Sequence, residues 1–450
     1  MHSVLRSSYS NETGVRVSLR LLLKRDIVLV VASKAINGTT TLALNLYAVH
    51  YLPPAEFGAL TLCTTLLVLL DGMVGSALDL AVVKLRPLEK LTANGSPVER
   101  AAIGLKTIGC LIFGSILTIF APQLGMLFLH RGDARSLFFA WSVAATAILT
   151  MRSTQLALQL RERYRSFACV ELLNTGLRIG LVVWALHHGH RSGLSIITCF
   201  AIASCAAMCV GLATLIKISG ILKWWALDGA GLVLKSAGNA LATYGVSALV
   251  SRMDVLVLAV MAPPVELGLY GSAMTLATIP EIAATYLAPA FLPRIEPYCR
   301  QGVFGRFFIR LHVLLYALMA LAYAALLWII PRFGGDILPA KYAPALAVTL
   351  VLLPGTLATA SIFPLSLNLL MLKGSRIFLY FDLFAAPLLV VVYNFSSKRG
   401  ILTVAAVTAV VRVSKTVFVQ WFAARAAAAA QSEWQGQQDQ DKETSWAPTL

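Results

Sequence analysis

Tyr51-Leu-Pro-Pro-Ala-Glu-Phe-Gly58 and Pro263-Pro-Val-Glu-Leu-Gly268 are the same turn written twice, 210 residues apart. The match extends without gaps on both sides. Thr65-Leu66 answers Thr275-Leu276, Asp71 answers Glu281, and Lys84 answers Arg294. Upstream, Arg25 stands where Lys235 stands. A shared Pro-Pro turn alone is weak. That turn followed at fixed distance by an acid inside an apolar run, and then by a base, marks an internal duplication.

What is duplicated is membrane-spanning. The 450 residues are 58% hydrophobic and 13% charged, with a mean hydropathy of +0.77. A soluble chain of this length carries roughly a quarter of its residues as charges. Uncharged runs of about 20 residues, enough to cross ~30 Å of hydrocarbon, recur throughout. They predict about twelve spans, near 27–49, 58–82, 101–121, 136–157, 167–187, 194–218, 236–261, 268–292, 307–330, 346–372, 377–394 and 401–422. Every connection is too short for a folded extramembrane domain.

The net charge of +16 does not point to nucleic acid, because no soluble basic module exists to bind it. Lys and Arg instead crowd the connections on the side of the two termini, twenty-five against seven opposite, with five inside spans. By the positive-inside rule both termini are cytoplasmic, which agrees with an even number of spans. Some 25 polar and basic residues precede the first apolar run and no small-residue cleavage site follows it, so the start does not read as a signal peptide.

The expected organisation is a cytoplasmic arm (1–26), a six-helix lobe (27–218), a cytoplasmic linker (219–235), a second six-helix lobe (236–422) and a disordered cytoplasmic tail (423–450) rich in Ala, then Gln, Glu and Asp. Both copies of the repeat start on the same side. The halves are therefore related by a pseudo-two-fold axis along the membrane normal, and the fold class is an all-α polytopic membrane protein of two pseudo-symmetric lobes.

These stretches resemble the multidrug/oligosaccharidyl-lipid/polysaccharide exporter superfamily, specifically its Wzx-type polysaccharide flippases. Tyr51 to Gly58 looks like that family's "lgp.efG" signature. Arg252-Met-Asp254, followed by Glu266-Leu-Gly-Leu-Tyr270 and Ala273, looks like its "R.D…vG.Y..A". The resemblance implies a MATE-like fold, alternating access, and a bacterial inner membrane. It implies translocation of an undecaprenyl-diphosphate-linked oligosaccharide for O-antigen, capsule or exopolysaccharide assembly, beside a polysaccharide polymerase and co-polymerase. The family marks no single catalytic-type residue, so candidates come from physical argument.

An ionisable group inside a span is costly unless it meets a partner or a cavity. Lys34, Arg178, Arg252, Arg412 and Lys415 are the basic members; converging, they would form a cationic cleft for a diphosphate. The alternative is that each neutralises an acid, as Arg178 could neutralise Glu171 seven residues away. Asp71 and Glu281, equivalent in the repeat, and Asp254 are the candidates for ion coupling. Pro280, Pro289, Pro354 and Pro364 are candidate kinks.

Enzymatic and metal chemistry find little support. Five histidines, His50, His130, His187, His188 and His190, sit at span ends; only His312 enters an apolar run. Nearly all seven cysteines lie in apolar runs without His or acidic companions. No cofactor or metal is expected. The rivals are a MATE-type drug or cation antiporter, a lipid II flippase, which usually has more spans, and a membrane enzyme of polysaccharide assembly. A polymerase or ligase would want a long outer loop, and an acyltransferase an intramembrane His.

Overall fold

The computed structural model describes residues 25–85, 96–219, 227–282, 284, 304–371 and 375–445. The expected arm, Arg294, Cys299, Pro289 and the end of the eighth span lie outside them. Among the described residues there is no strand. The helices are α1 (Arg25–Tyr51), α2 (Pro54–Leu85, with a π-helical turn at Asp71–Gly75), α3 (Pro97–Ile119), α4 (Ala121–Leu129), α5 (Arg135–Leu160), α6 (Tyr164–His187) and α7 (Gly193–Ser219) in the first half. In the second are α8 (Ala230–Met261), α9 (Pro264–Ala277), α10 (Phe304–Ile337), α11 (Pro344–Met371), α12 (Ser375–Ser397) and α13 (Ile401–Ser445). Nine helices among the described residues are long and apolar enough to cross a membrane, and Tyr316–Ile329 is a shorter apolar stretch. In hydrocarbon a helix is the form that satisfies its own backbone, which is why apolar runs become helices and little else.

The expected spans fall largely on these helices, but a separate short helix α4 follows the run at 101–121, the helix α9 of the eighth span ends at Ala277, and other boundaries move. The apolar run at 101–121 begins its helix at Pro97, capped by the Ser96 hydroxyl, which accepts from Glu99 N at 3.2 Å. And α13 does not stop near residue 422: it continues to Ser445, where a disordered tail is expected. Ala426 to Ala430 have the highest helix propensity of any residue, and the Gln, Glu and Lys that follow are also good helix formers. Low hydrophobicity argued for disorder; propensity carries the helix on. Pro354 and Pro364 lie within the single helix α11, and Pro387 within α12.

The repeated Pro-Pro pair makes each hairpin. Pro53 and Pro263 are extended (φ −63°, ψ 150° and φ −57°, ψ 148°), while Pro54 and Pro264 open α2 and α9 at the first helical position, where no N–H is missed. The two hairpins then cross. A Cβ on Gly58 would lie 2.5 Å from the Pro264 carbonyl oxygen, and one on Gly268 would overlap that of Pro54. One turn on, a Cβ at Gly271 would overlap Thr61 Oγ1. Residues 54, 58 and 61 thus meet 264, 268 and 271, their own repeat equivalents. The pseudo-two-fold axis passes through this crossing.

Other contacts seal the same end. Lys341 Nζ donates to His50 O (3.1 Å) at the C-terminal end of α1, and Tyr342 Oη donates to Leu52 O (3.2 Å). The Tyr342 ring meets Phe57 edge-on at 6.1 Å. The signature Glu56 is spent within its own half: it takes Arg131 Nη1 at 2.8 Å and the Gly193 amide at 2.7 Å, binding three connections together. One continuous core runs from Leu52, Phe57 and Leu62 of the first half to Leu267, Tyr270 and Leu352 of the second. Toward the other end, α8 lies along α2 and α3 through Leu78, Val82, Val98, Val233 and Ala237.

Overpacking a close crossing costs ~1–3 kcal/mol. Gly268→Val is therefore expected to lower the midpoint of thermal unfolding in detergent by several degrees. Gly180→Val, where a side chain meets nothing within 4 Å, is expected to leave the midpoint unchanged or raise it.

Candidate functional site

The intramembrane charges sort into those that have partners and those that do not. Lys415 Nζ bonds both oxygens of Asp382 at 2.6 and 2.9 Å, and Asp382 is fully buried. Arg412 Nη1 meets Glu281 Oε1 at 2.7 Å. In the first half Arg152 Nη1 meets Asp71 Oδ2, and Lys106 Nζ meets Asp79 Oδ1, both at 2.6 Å. Arg161 meets Glu99 at 2.6 Å. A buried charge left without its partner costs several kcal/mol, which is reason enough for these pairs.

Lys34, Arg178 and Arg252 form no ion pair with any described residue. Lys34 is exposed, its ammonium 5.6 Å from the Phe167 ring centre. The Arg178 guanidinium lies over the Phe200 ring at 4.1 Å, and its Nε is buried without a hydrogen-bond partner. Glu171, the acid that seven-residue spacing offers to Arg178, is engaged elsewhere. It accepts from Asn37 Nδ2 at 2.6 Å and from Gln155 Nε2, while Thr175 Oγ1 donates to Asn37 Oδ1 at 3.2 Å. Glu171 therefore lies within electrostatic range of Arg178 without being bonded to it. Arg252 is half-buried, with Arg412, Asp254 and Glu281 within electrostatic range but none bonded to it.

The three acids expected to couple to an ion also divide. Asp71 and Glu281 each hold an arginine. Asp254, almost wholly buried, holds none: it accepts from Tyr270 Oη (2.5 Å), the Val255 amide (2.8 Å) and Thr408 Oγ1 (3.4 Å). Tyr393 Oη closes the network on Thr408 at 3.1 Å. Four helices, α8, α9, α12 and α13, thus meet at one carboxylate.

Sequence reasoning missed three residues. Lys106 and Arg152 count toward the basic connections there, yet both lie inside the spans as drawn, and Lys106 is fully buried. Their positions within apolar runs were the available signal. Asn37, a polar side chain inside the first apolar run, donates to Glu171. Among the described residues no group of three or more His, Cys, Asp or Glu is placed to hold a metal ion.

A family model described as "Polysaccharide biosynthesis protein" matches residues 23–298. No curated protein sequence matches. Among solved structures, the inward-facing conformation of a multidrug resistance MATE family transporter of the MOP superfamily is similar at a TM-score of 0.61 and 12% identity, covering 94% of this chain and 99% of that one. An outward-facing conformation under the same description gives 0.53 at 13% identity, covering 90% and 96%. The bent form of the Vibrio cholerae MATE transporter VcmN gives 0.54 at 13% identity, covering 92% and 99%.

Proposed function

The chain belongs to the polysaccharide biosynthesis protein family, and from that premise we propose that it flips an undecaprenyl-diphosphate-linked oligosaccharide across the bacterial inner membrane by alternating access. One observation carries the reading. Among the described residues Arg178 and Arg252, both partly buried, and the exposed Lys34 form no ion pair, whereas Lys106, Arg412 and Lys415 are tied to acids. An unpaired cation in low dielectric is retained at a cost, and a diphosphate headgroup is an anion that removes it. Arginine's fork suits phosphate oxygens, and the Phe200 face holds one guanidinium flat for that contact.

The conformation supports the cycle. With both termini cytoplasmic, as the basic connections indicate, the sealed Pro-Pro end faces outward. The greater likeness to the inward-facing neighbour, 0.61 against 0.53, agrees. The lipid-linked glycan would enter from the cytoplasmic leaflet, with a polymerase and co-polymerase receiving it beyond the membrane. The multidrug resistance named for structural neighbours fits less well, because arginines without ion pairs repel a cationic cargo.

Coupling to a proton requires an acid free to gain and lose one. Asp71 and Glu281 are bonded to arginines, whereas Asp254 faces only the hydroxyls of Tyr270 and Thr408 and a backbone amide, with Tyr393 one bond further and Arg252 and Arg412 nearby. We assign coupling to Asp254.

Arg178→Ala and Arg252→Ala are each expected to reduce surface polysaccharide by about tenfold or more, the loss of one charge-assisted contact of roughly 1.5–3 kcal/mol, at unchanged protein level and insertion. Wild-type export by both single variants and by the double variant would refute the reading. In proteoliposomes, an inward pH gradient should accelerate leaflet transfer by the wild type and not by Asp254→Asn. Equal wild-type rates with and without the gradient would remove Asp254 from the mechanism.

A further inference from the structure

We infer that Arg152 is an anion-binding residue and that Asp71 holds it as a stand-in for phosphate, yielding it when a lipid diphosphate arrives. The inference rests on the flippase reading above and extends it to a residue pair which that reading does not use.

The pair is partly accessible. Along α5 the neighbours Met151, Ser153, Thr154 and Gln155 are buried, yet 46% of the Arg152 side chain is accessible, and 25% of Asp71. Asp71 opens the π-helical turn of α2, and the next residue, Gly72, packs against Ala248 of α8, so the pair sits beside the contact between the two halves. Single π-turns inside α-helices frequently mark functional sites. Here Gly75 leaves room for the carboxylate, since a Cβ at that position would overlap Asp71 Oδ1.

A second cation waits beside it. Arg178 lies within electrostatic range of Arg152 and of Glu171, but forms no ion pair with a described residue. Two arginines therefore share one bonded carboxylate. The second half repeats the arrangement with different helices. Arg412 holds Glu281, the repeat equivalent of Asp71, and Arg252 stands near Arg412 without an ion pair. The acids are duplicated; their arginines are not, since α5 and α13 do not correspond in the repeat. The same charge arrangement has been reached from unrelated positions in each lobe.

Accessibility favours exchange. An ion pair with both partners partly accessible is held less firmly than one with a fully buried acid, so the Arg152–Asp71 bond is the more replaceable. The Lys415–Asp382 pair, with its acid fully buried, is the firmer. In the empty carrier Asp71 spares the membrane a bare cation. When a phosphate takes the arginine fork, the carboxylate is released toward the accessible space, and its return expels the phosphate after transfer. No bond is made or broken beyond these ionic contacts.

The test uses the full chain in nanodiscs, titrated with undecaprenyl diphosphate and, as control, undecaprenol. Asp71→Asn frees Arg152 and should bind the diphosphate about tenfold tighter while its export falls. Arg152→Ala should bind about tenfold more weakly, and Asp71→Asn added to it should no longer tighten binding. Arg152→Lys, which keeps the charge but loses the fork, should weaken binding several-fold; it carries the test should Asp71→Asn not fold. Asp71→Asn binding equal to or weaker than wild type, or unchanged affinity in both Arg152 variants, would overturn the inference while leaving the flippase reading intact. Wild-type binding no better for the diphosphate than for undecaprenol would overturn both.

Discussion

A charge inside a membrane protein must be answered by something. That constraint organises this structure more than any single packing contact does. Water is absent from the hydrocarbon, so each buried Lys or Arg is compensated by an acid, by aromatic or amide dipoles, or by a ligand that comes and goes. Lys106, Arg161, Arg412 and Lys415 take the first solution. Arg178 lies over the Phe200 ring with Glu171 bonded to Asn37 and Gln155, and the proposed function assigns it the last. Asn37 and Gln155 supply the hydrogen bonds of Glu171, which acts on the arginine through space and not through a bond.

The scaffold makes those unpaired charges useful. Because the two hairpins cross at Gly58 and Gly268 with almost no side chain between them, the lobes meet at one end through backbone and small groups. Such a joint has few bulky interlocking side chains to disengage. Lys341 and Tyr342 add hydrogen bonds to the carbonyls of His50 and Leu52, contacts that water could replace in the alternating access proposed above. The rigid work is done inside each half, where Glu56 ties Arg131 and the start of α7 to the Pro-Pro turn.

Much of the fold was legible in the sequence because it depends on local information. Apolar run length sets the helices, Pro-Pro sets the hairpins, and the 210-residue offset sets the symmetry. The site was only half legible. Which residues are ionisable inside spans can be read directly, but which are paired cannot, since partners are joined by tertiary packing across 27 residues (Lys106 and Asp79), 81 (Arg152 and Asp71) or 131 (Arg412 and Glu281). Counting Lys106 and Arg152 as connection charges followed from the expectation that basic residues flank spans. Both are buried or half-buried within helices because an acid waits there. The α13 extension was lost for a different reason: composition speaks about burial, and that helix beyond the apolar run owes its form to propensity.

The central claim is that unpaired arginines wait for phosphate. A structure determined with undecaprenyl diphosphate bound would test it most directly. The account predicts phosphate oxygens within about 3 Å of the Arg178 or Arg252 guanidinium. A bound diphosphate held elsewhere, with both arginines turned onto acidic side chains, would contradict it.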